Sequence, residues 1–166
     1  MKDNLRIGIG YDVHPLVPGK KLVLGGTEIP FHKGLEGWSD ADVLTHAVMD
    51  ALLGAAALGD IGQHFPPGEA EFREVSSLFL LDKVVEKLEE KGYRVVNIDA
   101  TVVADKPRLR EYIDDMRHNL SHVLGIDMDR VSVKAGTGNG LGAIGRGEGI
   151  AACAVAMIAG SQDEDN

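Results

Sequence analysis

Asp12-Val13-His14 closes a stretch, Leu5 to Tyr11, in which Leu, Ile, Ile and Tyr alternate with Arg and Gly. That alternation predicts a β-strand, and on a strand residues two apart share a face. Asp12 and His14 therefore reach toward one point. A second histidine, His46, lies in a segment with helical periodicity. If that helix crosses the strand, His46 completes a set of two imidazoles and one carboxylate. Three protein ligands with one position left open is the arrangement of a catalytic zinc, not of a structural one. The same donor set also serves mononuclear iron oxygenases. A plainer reading stands beside both: two polar loop residues and a core histidine satisfied by a hydrogen bond. Asp42 and Asp50 lie four residues either side of His46, on the same helix face. Either is expected to orient the imidazole from behind the metal, with capping as the alternative for Asp42 and a polar contact elsewhere for Asp50.

Further along, Gly136-Thr137-Gly138-Asn139-Gly140-Leu141-Gly142 forms a glycine-rich loop. Gly140 to Gly145 fits G-x-G-x-x-G in form, but that motif must open a helix, and here a strand is expected to follow. No Gly-Lys-Ser/Thr ending is present, so the loop is not a P-loop. What remains is either a long turn or a loop whose amides and Thr137 hydroxyl cradle an anion. Arg146 and Glu148, two apart among glycines, read as a salt bridge within the chain or between subunits. Lys106-Pro107-Arg108 reads as a solvated helix start or as a receiver of phosphate or base.

Positioning these residues requires a small α/β fold. Lys21 to Leu24 and Thr27 to Ile29 flank Gly25-Gly26, a hairpin signal. Pro30 to Trp38 reads as a loop. Ser39 is the expected N-cap of a helix running to about Leu58, with Asp42 as an acidic capping-box analogue. Asp60-Ile61-Gly62 falls in a Gly/Pro-rich loop. Ser76 to Lys91 reads as a helix with Gly92 at C′. Arg94 to Ala104 reads as a strand, and Pro107 is expected to open a third helix reaching about Gly125. Arg130 to Ala135 and Ile150 to Ile158 are the last strands, the second one buried. The expected fold is a two-layer α/β (α+β) domain with a mixed β-sheet and helices packed on one face.

The 166 residues suffice for one domain, taken as 1–160, followed by an acidic tail at 161–166. A net charge of −9 argues against a nucleic-acid partner. An acidic protein that binds phosphates must supply positive charge locally, from metal ions, amides or a few Lys and Arg. No apolar run is long enough to span a bilayer, so no membrane partner is expected. The lone Cys153, among Ala, Val and Ile, reads as an inert core residue. With no internal disulfide possible and no signal-peptide pattern after Met1, a cytoplasmic protein is expected.

In combination these segments make the chain resemble the 2-C-methyl-D-erythritol 2,4-cyclodiphosphate synthase family. The matching pieces are Gly10-Tyr11-Asp12-Val13-His14, Ser39-Asp40-Ala41-Asp42-Val43 with His46, Asp50-Ala51-Leu52-Leu53-Gly54-Ala55, Leu58-Gly59-Asp60-Ile61-Gly62, Val133-Lys134-Ala135 and Gly145-Arg146-Gly147-Glu148-Gly149. They span about Arg6 to Ala159. The resemblance implies a homotrimer around a threefold axis with active sites between subunits, and zinc (Zn2+) held by Asp12, His14 and His46. It implies a cytidine diphosphate-linked substrate, with Asp60 and Gly62 on the ribose. Ala104, Lys106, Pro107, Arg108, Leu109 and Arg110 would form the cytosine and phosphate pocket, given by the neighbouring subunit. Thr137 would touch the phosphates and stabilise the transition state. Ser39, Ile61, Phe65, Ala135, Gly136, Ala143 and Arg146 complete the implied substrate-binding set. Tyr11, Arg146 and Glu148 would lie near the axis. A second ion, Mg2+ or Mn2+, would bridge the diphosphate.

Two departures from the family pattern stand out. Trp38 occupies a transition-state position usually held by His, and an indole has a single N–H donor. Asn139 stands where a Glu usually binds the second metal, and offers a neutral carbonyl oxygen only. Gly136 and Gly140 stand where Thr and Lys are frequent. Three readings follow: the cyclising synthase, a trimeric isoprenoid- or nucleotide-binding protein with an impaired phosphate site, and a mononuclear iron oxygenase.

Overall fold

Alternation in the first strand is complete. In the computed structural model, which describes residues 4–160, β1 runs Leu5–Pro18. Its Gly8 and Gly10 are buried on one face, while Leu5, Ile7, Ile9 and Tyr11 are exposed on the other. The acidic tail expected at 161–166 lies outside the described residues. The other strands are β2 (Leu22–Leu24), β3 (Thr27–Ile29), β4 (Lys33–Leu35), β5 (Tyr93–Val103), β6 (Val131–Gly136) and β7 (Gly149–Gly160). The helices are α1 (Val43–Ala55), α2 (Ile61–His64), α3 (Ser77–Glu90), α4 (Ile113–Leu124) and α5 (Gly142–Gly145).

Five strands form one sheet in the order β4-β1-β7-β5-β6, and β2-β3 form a separate hairpin. Only β5 and β6 pair in parallel, so the sheet is mixed as expected. Helix α1 lies on β1 and β7, α3 on β5 and α4 on β6. The core is the layer between them, with Leu44, Leu52, Leu81, Ile98, Met116 and Leu120 fully enclosed. No helix among the described residues is long and apolar enough to cross a membrane.

Several local expectations need correction. Lys33 to Leu35, read within a loop, pairs with the end of β1 as an edge strand. Three residues containing a glycine are too short for a period to show. Helix α1 starts three residues later than expected. Its N-cap is Asp42, which accepts from Thr45 N, and the hydroxyl of Ser39 turns toward His46 instead. It stops at Ala55, with Ala57 at φ 58°. Pro107 does not open α4. Leu109 drops into the core at 3% exposure, and a short 3-10 turn, Arg110–Tyr112, precedes the helix. The four-residue α5 stands before β7 where no helix was expected. Cys153 faces away from the helices opposite Tyr11 and is only half-buried, so it is no core residue.

Asp42 ties two elements together. Its carboxylate accepts from Gly25 N at 2.9 Å, Gly26 N at 2.8 Å, Thr45 N at 3.0 Å and Thr45 Oγ1 at 2.7 Å. Gly25 and Gly26 both have positive φ, as a tight two-residue hairpin requires. Burial, aided by the charge of Asp40, pushes the Asp42 carboxyl above its ordinary value, and these donors pull it back. Asp42→Ala removes a cap and leaves two turn amides without partners. A loss of about 2 kcal/mol is expected in urea unfolding, with metal binding retained.

Candidate metal centre

Close approach of α1 to β1 builds the site. A Cβ on Gly10 would sit 1.9 Å from Ala47 O, and one on Gly8 1.9 Å from Ala51 O. Ala47, Ala51 and Ala55, four apart, present small side chains along that contact. The helix therefore rests on the backbone of the strand. Asp12 and His14 continue the face of Gly8 and Gly10, and His46, beside Ala47, is carried over them.

Asp12 Oδ2 lies 2.9 Å from both His14 Nε2 and His46 Nδ1, and the two nitrogens are 3.3 Å apart. Among the described residues this is the one cluster of three or more His, Cys, Asp or Glu side chains able to share an ion. Ligands about 2.0–2.2 Å from a tetrahedral zinc stand about 3.3–3.5 Å from one another. The observed triangle is that set, slightly contracted, so the residues fit a divalent metal with a fourth position open.

His14 Nδ1 lies 2.7 Å from Glu36 O. A carbonyl only accepts, so Nδ1 carries the proton and Nε2 offers its lone pair to the site. Behind His46, Nε2 meets Ser77 Oγ at 2.9 Å and Ser39 Oγ at 3.1 Å. Asp42 and Asp50, expected there, are elsewhere: Asp42 caps α1, and Asp50 accepts from Ile61 N at 2.8 Å. Burial would raise the Asp12 carboxyl, but the hydrogen bonds and charges of His14 and His46 bring it well below the usual carboxylate range. Burial likewise opposes protonation of His14, and the bond to Asp12 reverses this and raises it.

The metal set opens into a cavity of about 210 Å³ walled by Trp38, Met49, Ile61, Phe65, Phe72 and Leu80, with Ser39 and Gly62 at its edge. The indole N–H of Trp38 donates to Glu69 O at 2.9 Å, and Glu74 N donates to Trp38 O at 2.9 Å. Both bonds fasten the 66–75 segment over the cavity. A second cavity, about 410 Å³, is lined by Ala104, Asp105, Pro107, Arg108, Leu109, Arg110, Ala135, Gly136 and Thr137. The two share no residue. Asp12 pairs with Ala152, Ala152 with Val102, and Val102 with Ala135. They therefore lie at one level of the sheet, three strand spacings or about 14 Å apart.

The remaining sequence-predicted residues line neither cavity. Asp60 caps α2 and accepts from Gln63 N. Lys106 precedes a cis Pro107 and is exposed on the rim of the second cavity's loop. Asn139 is exposed at φ 51°, its amide donating to Thr137 Oγ1. Ala143 is exposed on α5, and Arg146 pairs with Glu148 at 2.7 Å. A cleft of about 450 Å³ between α3, α4 and β5 holds none of them. Sequence reasoning missed Ser77 and Asp40 behind His46. Ser77 stood at an expected helix start, where a serine reads as a cap.

A family model described as the YgbB family matches residues 5–159. A relative from Dehalococcoides mccartyi, named 2-C-methyl-D-erythritol 2,4-cyclodiphosphate synthase, is 60% identical over 154 residues, 93% of this chain and 98% of that protein. The solved bifunctional IspDF from Campylobacter jejuni matches with a TM-score of 0.92 and 38% identity, over 96% of this chain and 43% of that one. This chain thus spans less than half of that protein. The CDP complex of IspF from Plasmodium falciparum matches with a TM-score of 0.84 and 31% identity, over 98% of this chain and 100% of that one. With the family model and a relative of 60% identity both covering nearly its whole length, the chain belongs to the YgbB family.

Proposed function

We propose that the chain converts 4-(cytidine 5'-diphospho)-2-C-methyl-D-erythritol 2-phosphate to 2-C-methyl-D-erythritol 2,4-cyclodiphosphate and CMP, in non-mevalonate isoprenoid biosynthesis. The observation that carries this is the Asp12-His14-His46 triangle at the mouth of an apolar cavity, in a chain of this family. An oxygen of the substrate's 2-phosphate attacks the β-phosphorus. The bond from that phosphorus to the bridging oxygen breaks, and CMP leaves with the electron pair. The substrate supplies its own nucleophile, so the protein needs no activated serine or cysteine; positioning and charge neutralisation suffice.

Asp12, His14 and His46 would hold zinc, which when bound supplies Lewis acidity and a template for a phosphoryl oxygen. Trp38 acts as an apolar wall, because its one N–H is committed to Glu69 O. Donors to phosphate therefore fall to the amides of the glycine-rich loop, the Thr137 hydroxyl and the guanidinium groups of Arg108 and Arg110. The cytidine is assigned to the second cavity. Asn139 is an exposed neutral donor, and among the described residues no group of three or more metal-ligating side chains includes it, so a magnesium or manganese ion would rely mainly on the substrate diphosphate.

The homotrimer is supported by the sheet face opposite the helices. There Leu5, Ile7, Ile9, Tyr11, Val13 and Val155 are all exposed, Ile9 at 71%. Such an apolar face calls for a partner surface. Two half-sites about 14 Å apart on one chain also suit an active site completed by a neighbour. The free thiol of Cys153 suits a reducing compartment, and we place the enzyme in the cytoplasm.

Incubation of purified protein with the cytidylyl substrate tests the reading. CMP and the cyclic diphosphate are expected in equal amounts, by phosphorus NMR. CMP with a linear phosphate product would mean hydrolysis, and no CMP would point to a binding protein; either overturns the proposal.

A further inference from the structure

We propose that Ser77 and Asp40 form a positioning pair for the metal centre, linking a carboxylate through one hydroxyl to the back of His46. The inference rests on reading Asp12, His14 and His46 as metal ligands, and not on the identity of the substrate. His46 turns Nδ1 toward Asp12 at 2.9 Å and His14 at 3.3 Å. For Nδ1 to offer a lone pair to an ion, Nε2 must carry the proton and find an acceptor. Two hydroxyls are within reach, and they are not equivalent.

Ser77 has no exposed surface and is the first residue of α3. Its hydroxyl donates to Asp40 Oδ1, and its amide donates to Asp40 Oδ2 at 3.0 Å. With its proton committed to a carboxylate, Ser77 Oγ presents only lone pairs to His46 Nε2, 2.9 Å away. Ser39 Oγ, at 3.1 Å, has no such carboxylate; it meets only the long contact from Ala41 N at 3.4 Å. Nothing fixes the direction of its proton.

Asp40 is itself held. It accepts from Asp42 N at 3.2 Å, and its own amide donates to Val75 O at 3.1 Å. Ser76, the N-cap of α3, makes no side-chain capping bond, so Asp40 supplies that cap from a different segment. A carboxylate at the start of a helix is favoured there by the aligned backbone dipoles. One residue therefore joins the start of α3 to the 38–42 loop and aims a negative charge at His46. A charged partner behind a ligating imidazole fixes its tautomer and plane and increases its basicity toward a cation, which accounts for about 10- to 100-fold in affinity.

The test measures zinc affinity of the full-length protein by competition with a chromophoric chelator, for wild type, Ser77→Ala and Asp40→Asn. The asparagine keeps the size of Asp40 and one accepting oxygen but loses the charge and the second acceptor. Both variants are expected to bind zinc about 10-fold or more weakly, with Asp40→Asn still folded, as judged by a cooperative urea transition. A slowly exchanging imidazole N–H proton signal from His46 is expected in the wild type and lost in Ser77→Ala. A merely structural role would move neither the affinity of Asp40→Asn nor that signal. Zinc constants within threefold of wild type in Asp40→Asn overturn the proposal, even if Ser77→Ala fails to fold. A wild type that binds no divalent metal overturns the metal reading itself, a separate result.

Discussion

Gly10→Val is expected to abolish zinc binding and turnover although it touches no ligand. The Cβ alone would sit 1.9 Å from Ala47 O and 2.7 Å from Ala51 N, both backbone atoms of α1. Backbone cannot rotate out of the way as a side-chain tip can, so the helix must lift off the strand by more than an ångström. His46 rides on that helix, one residue from Ala47, and would leave the 2.9 Å contact with Asp12. Overpacking typically costs about 1–3 kcal/mol, and a clash with backbone belongs at the upper end of that range. The expected result is a clear fall in the urea midpoint, zinc content at a small fraction of wild type by mass spectrometry, and turnover near background. Gly54→Ala is the contrast. Its Cβ would meet only Ile9 O at 3.8 Å, in an exposed helical position. A gain of about 0.5–1 kcal/mol with zinc and activity intact is expected. A Gly10→Val protein with normal zinc content would show that the glycine contact does not position His46.

How much of this was legible in the sequence depends on the range of the interaction. The Asp12-His14 pair was readable because strand periodicity is local. So were the hairpin at Gly25-Gly26, the helix over Ser77–Glu90 and the strands β5, β6 and β7. That α1 would cross β1 was not, since no single segment states which face meets which. The pairing of Gly8-x-Gly10 with Ala47-x-x-x-Ala51 holds that information, but only once both are placed. The partners behind His46 were misassigned for the same reason. Asp42 and Asp50 are near in sequence and on the right face, whereas Ser77 is 31 residues away and arrives with another helix. Competition for hydrogen bonds decided the rest. Asp42 was drawn to the turn amides of Gly25 and Gly26, and Ser39 was left free to face the imidazole. The resemblance supplied the pocket residues Ala104 to Arg110, which spacing alone did not reveal. The structure gathers most of them around one cavity.

His46→Ala is expected to separate chemistry from folding. The substitution removes Nδ1 from the triangle and leaves Asp12 and His14, 2.9 Å apart, as a two-ligand remnant. A catalytic zinc held by two protein groups is not retained against a chelator. Zinc content after dialysis is therefore expected near zero, and turnover is expected to fall about 10³-fold, corresponding to about 4 kcal/mol of transition-state stabilisation. Stability should change less. The imidazole is buried at 7% exposure, and its loss leaves Ser77 Oγ with its bond to Asp40 intact. A cost of about 1–2 kcal/mol is expected for the vacated space and the lost bonds. Added imidazole, able to enter the vacated space, is expected to restore part of the zinc binding, which added zinc alone does not. Asp42→Ala, one turn earlier on the same helix, should give the opposite pattern, a less stable protein that keeps its metal. If His46→Ala instead retained zinc and most of its turnover, the triangle would not be the reacting centre. The exposed Thr137 loop and the second cavity would then have to carry the reaction without it.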